Sequence, residues 1–166
     1  MILKEKILFS KEECKSIISY NETHITNWRM GDRNYKSQPI NYSLETKWLF
    51  DKLKEFVEEN TDIKIKKIKE TIHFHKFTKD DWFGKHNDIR DNRLYAVGVL
   101  LNDTFKGGDF KLYNPNEIIL DKAIGNTYLF DVRIDHEITS ILEGERYSLL
   151  WFLENEHVKI ETNKLI

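Results

Sequence analysis

The chain has 166 residues, 40% apolar and 33% charged, with a formal net charge of -2. This length and mixture suit one globular domain with its own core and exclude a disordered or low-complexity chain. The nearly balanced charge gives no global field toward nucleic acid or anionic lipid, and the single cysteine, Cys14, excludes an internal disulfide and a thiolate metal cluster.

Charges interrupt the first six residues where a signal peptide needs an apolar run, and no eighteen apolar residues follow one another. The expectation is a cytoplasmic protein without a membrane partner. Residues 2–9 read as a short strand. Ser10-Lys11-Glu12-Glu13 then has capping-box spacing, which starts a helix over about residues 11–21 with Cys14, Ile17 and Ile18 on its apolar face and Phe9 as a staple. Cys14 reads as a buried small apolar residue of this face. Ser43 reads as the cap of a second helix whose stripe is Trp48, Leu49, Leu53, Phe56 and Val57.

From residue 63 the period shortens to that of strands, at 63–77, 93–102, 108–113, 116–120, 125–131, 135–138 and 146–154. Lys64, Lys66, Lys67 and Lys69 interleave with isoleucines as the solvated face of the first run, so nucleic acid is not an expected partner. Many short strands after two helices predict a mostly β jelly roll with both helices packed on one sheet. One domain over 1–166 is expected, with helical support to about residue 62 and a β core from about 63.

Within the β region, His86-Asn87-Asp88 places an imidazole and a carboxylate two residues apart, on the same side of an extended segment. Alone this pair is a weak signal, and its ordinary reading is a surface histidine beside a turn aspartate. His136, fifty residues on, is the candidate third ligand. Two histidines and one carboxylate leave open metal positions, the arrangement of non-haem Fe(II) oxygenases. Arg146 follows His136 by ten residues, and Ser148 shares its strand face. A guanidinium fork with a neighbouring hydroxyl suits a carboxylate, and thus a dicarboxylate such as 2-oxoglutarate.

The ordered set His86-x-Asp88, Arg93 to Asn102, Gly107-Gly108-Asp109-Phe110, Gly125 to Phe130, His136, and Gly144-Glu145-Arg146-Tyr147-Ser148 resembles the catalytic core of prolyl-hydroxylase-like 2-oxoglutarate/Fe(II) oxygenases. The resemblance covers about half the chain, residues 70–154. It implies a double-stranded β-helix, Fe(II) on His86, Asp88 and His136, and 2-oxoglutarate on Arg146 with help from Ser148. It also implies oxidative decarboxylation of 2-oxoglutarate with O2, coupled to hydroxylation of a C–H bond in a prolyl or other residue of a peptide or protein.

Two positions depart from the pattern: Phe77 and Leu100 stand where the family often has tyrosines that contact 2-oxoglutarate. His75 and Tyr128 are the candidate replacements, each also readable as a packed strand residue. Trp82 and Phe83 read as a loop before His86, either a substrate wall or rim packing, and Gly107-Gly108 as a turn. A free amino acid or other small metabolite is the alternative substrate. A non-catalytic cupin-like metal- or ligand-binding barrel and an interaction module with ordinary surface histidines are the alternative functions. Oligomeric state is not legible in the residues.

Overall fold

In the computed structural model, residues 3–24, 29–30, 35–66, 68, 71–90, 92–155 and 158–160 are described. The capping box forms as its spacing requires: the Glu13 amide donates to Ser10 Oγ at 3.0 Å and the Ser10 amide to Glu13 Oε1 at 3.5 Å. Helix α1 runs Lys11–His24, beyond the expected end at 21. Helix α2 spans Lys47–Asn60, and its cap position is Thr46 rather than Ser43. Ser43 instead closes the preceding turn, its hydroxyl accepting from the Thr46 amide at 3.3 Å. The buried stripe of α2 is Leu49, Phe50, Leu53, Phe56 and Val57. Trp48 is 42% exposed, with its ring edge-on to Phe9 at 6.3 Å. Lys52 crosses to Glu13 at 2.7 Å and links the two helices.

The strands are β1 (Leu3–Ile7), β2 (Arg29–Met30), β3 (Lys36–Ile40), β4 (Ile63–Ile65), β5 (Ile72–Phe77), β6 (Phe83–His86), β7 (Arg93–Leu100) and β8 (Phe105–Gly107). They continue with β9 (Phe110–Tyr113), β10 (Glu117–Ile119), β11 (Asn126–Asp131), β12 (Asp135–Ile138), β13 (Ile141–Gly144), β14 (Arg146–Glu154) and β15 (Val158–Ile160). One sheet has the order β1-β11-β7-β14-β5-β3-β2, and a second has β10-β9-β12-β6. Two small ribbons pair β13 with β8 and β15 with β4. All pairings are antiparallel, and together they make the expected jelly roll, a double-stranded β-helix.

The run 63–77 is therefore two strands in different sheets. Lys64 lies exposed between buried Ile63 and Ile65, as its alternation implies, whereas Lys67 and Lys69 lie outside the described residues. The segment 83–86 is a strand and not a loop. Gly107 and Gly108 both have positive φ, 69° and 61°, and form the turn into β9.

Strand alternation divides the apolar residues between two cores. Ile72 and Phe74 of β5, Val97 and Val99 of β7, and Leu149, Trp151 and Leu153 of β14 pack with both helices on one side of the large sheet. Phe77, Ala96, Tyr128, Phe130 and Phe152 face the other way and meet Phe110, Leu112 and Ile138 of the second sheet. The functional candidates lie in this inter-sheet layer, so the helical layer serves as backing. Among the described residues no helix is long and apolar enough to cross a membrane.

Leu53 is fully buried at the centre of the backing layer. Leu53→Ala is expected to destabilise the fold by about 2–5 kcal/mol, measured as a lower urea midpoint with an unchanged m-value.

Candidate active site

Antiparallel pairing of β12 with β6 sets His136 directly opposite His86. Their ring centroids are 4.3 Å apart. Asp88 lies just beyond β6, where its amide donates to the Val132 carbonyl at 3.0 Å. One carboxylate oxygen is thereby 3.7 Å from His86 Nε2, and the other is 3.2 Å from His136 Nε2. One ligand atom from each of the three residues lies within 4.8 Å of the others.

The tautomers follow from the backbone. His86 Nδ1 is 2.7 Å from the Gly84 carbonyl and His136 Nδ1 is 2.9 Å from that of Ile134. A carbonyl only accepts, so each Nδ1 carries a proton that it donates to the main chain, and Nε2 is the nitrogen that each ring turns toward Asp88. Ring nitrogens that converge on a carboxylate are held there by a proton or by a cation. Two ligands about 2.1 Å from an ion and at right angles to each other lie about 3.0 Å apart, close to the spacing found here. Two imidazoles and one carboxylate on one side of an ion therefore fit a divalent transition metal with open positions. Burial raises the Asp88 carboxyl, but the His136 hydrogen bond and the charges of His136, His86 and Arg93 outweigh it and hold the group below its ordinary value.

Apolar rings enclose this donor set. Phe83 stacks on His86 at 3.7 Å and 14°, while Phe130 and Phe110 lie 4.9 and 5.6 Å from His136. The sequence marks Phe83 as a wall or rim aromatic but places it on a loop, because a four-residue strand beside Trp82 and Gly84 has too few residues to show a period.

Arg146 is 2% exposed on β14. Its Nε donates to the Gly108 carbonyl at 3.2 Å and its Nη1 to Ser148 Oγ at 2.8 Å. The rings of Phe77 and Phe105 lie 5.6 and 6.0 Å from the guanidinium carbon. Among the described residues no carboxylate forms an ion pair with it. Burial lowers its pKa, against the raising effect of Tyr128 and Asp109. A guanidinium buried this deeply calls for an anion.

Tyr128 reaches Arg146 because β7 has a glycine opposite it. A Cβ at Gly98 would lie 2.1 Å from the Tyr128 ring, so only glycine lets the phenol cross the strand. Phe77 and Leu100 are paired in register with Arg146 and Ser148 and are buried. The side-chain polar groups next to the guanidinium are thus Ser148 and Tyr128.

His75 pairs with Ser148 across β5 and β14 and is 6% exposed. Burial, then the charges of His73 and Arg146, push its pKa down to about 3. It is a neutral hydrogen-bonding group. Tyr35, which no sequence signal marked, covers this corner by stacking on Phe77 at 4.7 Å and on Phe83 at 5.4 Å.

In front of the triad lies a cavity of about 720 Å³ whose wall includes His73, His75, His86, Asp88, Arg93 and Phe152. Trp82 is 43% exposed and its ring lies across Gly84, at the rim and not in the cavity wall.

No protein-family model matches the chain, and no curated protein matches it. Solved structures do. A prolyl hydroxylase from Trichoplax adhaerens, in complex with a hypoxia inducible factor oxygen degradation domain peptide fragment, aligns with TM-score 0.75 and 17% identity over 94% of this chain and 84% of that one. The viral collagen prolyl hydroxylase of Paramecium Bursaria Chlorella virus-1, in its 2OG complex, gives 0.72 and 15% over 93% and 96%. HygX from Streptomyces hygroscopicus, with nickel and 2-oxoglutarate bound, gives 0.70 and 14% over 90% and 81%. The chain therefore has the fold of these oxygenase structures.

The depressed His75 has a measurable consequence. Unfolded, it takes a proton near its ordinary value of 6.5; folded, it resists until about pH 3. Between these values the unfolded state binds more protons, so His75 makes stability rise with pH across this window, by about 1.4 kcal/mol per unit at most. In metal-free protein, urea titrations between pH 4 and 6.5 should show a shallower rise for His75→Gln than for wild type.

Proposed function

We propose that the protein is an Fe(II)- and 2-oxoglutarate-dependent oxygenase that hydroxylates a C–H bond, with release of succinate and CO2. One observation carries this reading: a His-Asp-His donor set and a buried guanidinium without a carboxylate partner among the described residues occupy the same inter-sheet layer. A metal-storage or metal-sensing barrel accounts for the first but gives no reason for the second. The shared fold with structures that hold nickel and 2-oxoglutarate supports the assignment.

His86, Asp88 and His136 would hold the metal, which when bound supplies open positions for 2-oxoglutarate and O2 and the oxidising power of the reaction. Arg146 would receive the distal carboxylate of 2-oxoglutarate, since its fork is already oriented by Gly108 and Ser148. Ser148, Tyr128 and neutral His75 are the hydrogen-bonding groups that position the rest of the co-substrate. Phe83, Phe110 and Phe130 keep water from the imidazoles. The whole chain, residues 1–166, acts as one catalytic domain, because both helices back the sheet that carries Arg146. A reducing, cytoplasmic setting suits Cys14, which is free and whose thiol burial pushes up to about 11. A prolyl or other residue of a peptide or protein is the proposed substrate. The prolyl hydroxylases among the solved structures, one of them holding a peptide, support it.

Anaerobic addition of Fe(II) and 2-oxoglutarate is expected to give a weak visible charge-transfer band in wild type and none in His136→Ala. A wild type without the band, or a variant that keeps it, refutes the assignment. Arg146→Ala should retain Fe(II) but bind 2-oxoglutarate about a hundredfold more weakly, the scale of leaving one member of a buried charge pair unmatched. Equal affinity in a titration rules out Arg146 as the carboxylate partner.

A further inference from the structure

Arg146 stands at a corner where two strands of the seven-stranded sheet part. The register of β7 and β14, with Ser148 opposite Leu100, puts Tyr147 opposite Leu101 and Arg146 opposite Asn102. β7 ends at Leu100, and the chain beyond it turns toward β8. On the other side, Gly144 of β13 pairs with Phe105 of β8 in the small ribbon, and Glu145 then leads into β14. A left-handed φ of 79° at Gly144 makes this corner, and a Cβ there would lie 2.4 Å from the Thr104 carbonyl oxygen. The Leu101 amide still donates to the Tyr147 carbonyl at 3.0 Å, but the return bond from the Tyr147 amide goes to a side chain.

That side chain is Asn102. Its Oδ1 accepts from the Tyr147 amide at 2.8 Å, and its Nδ2 donates to the Glu145 carbonyl at 2.7 Å. A main-chain N–H only donates and a carbonyl only accepts, so the two bonds fix which way the carboxamide points. They engage the peptide groups on either side of Arg146, as an antiparallel strand would. Nδ2 also donates to Thr104 Oγ1 at 3.1 Å, which ties the carboxamide to the segment leading into β8. Toward β5, Arg146 is in register with Phe77. Its main chain is therefore held on both edges, by a strand on one and by a side chain on the other.

The guanidinium is held at its tip by Gly108 and Ser148 and at its root by this clamp. A long side chain magnifies any rotation of its own Cα, and a recognition group works only when held within about 0.5 Å of its productive geometry. Asn102 is half-buried and is not in the wall of the cavity before the triad, so it acts through Arg146.

We propose that Asn102 is a positioning residue for the anion-binding arginine: its carboxamide supplies a rung of the β7–β14 ladder and fixes the direction from which Arg146 meets the co-substrate carboxylate. This deepens the oxygenase reading and rests on it for the identity of the anion.

The test reads Arg146 and its ligand separately. Asn102→Ala removes both bonds. Asn102→Asp keeps the shape and the acceptor for the Tyr147 amide but turns a second acceptor toward the Glu145 carbonyl, and it carries the test should Asn102→Ala fail to fold. In metal-free protein, the Arg146 Nε–H signal is assigned by its loss in Arg146→Lys. Its exchange with solvent is expected to be about tenfold faster in both Asn102 variants than in Leu53→Ala, which loosens the backing layer without touching this corner. In the Fe(II) protein, titration of the visible band should show 2-oxoglutarate binding weakened by about tenfold or more in both variants, with Fe(II) affinity unchanged. Leu53→Ala is expected to keep both affinities.

Wild-type 2-oxoglutarate affinity in Asn102→Asp overturns the proposal, because filling the corner would then suffice. Exchange of the Nε–H no faster than in Leu53→Ala, or equal losses of Fe(II) and 2-oxoglutarate affinity, overturns it as well. A wild type that gives no band while its Nε–H still responds to Asn102 removes the oxygenase reading and leaves the clamp standing. A normal wild-type band with both variants unchanged removes the clamp alone.

Discussion

The site depends on one cross-strand pair. His86 and His136 are fifty residues apart in sequence, and only the antiparallel ladder between β6 and β12 brings their rings to 4.3 Å. Two backbone carbonyls then decide what that proximity means. With both Nδ1–H groups donating to the main chain, the two Nε2 atoms converge on a carboxylate, and three donor groups already stand together. A one-residue slip of β12 would turn His136 to the opposite face and abolish the site.

Arg146 is the second constraint. Burying a guanidinium beside Phe77 and Phe105 is costly, and Ser148 and the Gly108 carbonyl satisfy only some of its donors. The fold tolerates it because glycines make room around it: Gly98 admits the Tyr128 ring, and a Cβ at Gly108 would meet the Arg146 side chain at 3.1 Å and Ile141 at 2.5 Å. Such local conflicts between stability and arrangement are expected where a protein binds something.

How much of this was legible in the sequence depends on the range of the interactions. The α1 capping box is a four-residue pattern and formed where Ser10 and Glu13 placed it. The spacing of His86, Asp88, His136 and Arg146 stood out because ligand types are few and their order is specific. Short strands such as β6, β8 and β13 were missed, since three or four residues cannot display a period and are held by their partners rather than by propensity. The start of α2 falls at Thr46 and not at Ser43 because the two hydroxyls bond to each other and close the preceding turn, with no side-chain cap on the helix itself. Tyr35 carries no local signal. Its contacts with Phe77 and Phe83 exist only once three distant segments have met.

The four-stranded sheet has β6 at its edge, paired on one side only, with β12. An edge strand of four half-exposed or exposed residues is the cheapest part of such a sheet to open. Fraying there carries His86 away from His136 while the seven-stranded sheet and its helical backing stay intact. Exchange of an ion held by this set would then need only a local opening, which costs less than global unfolding. A metal held there could accordingly be taken up by a chain that has already folded.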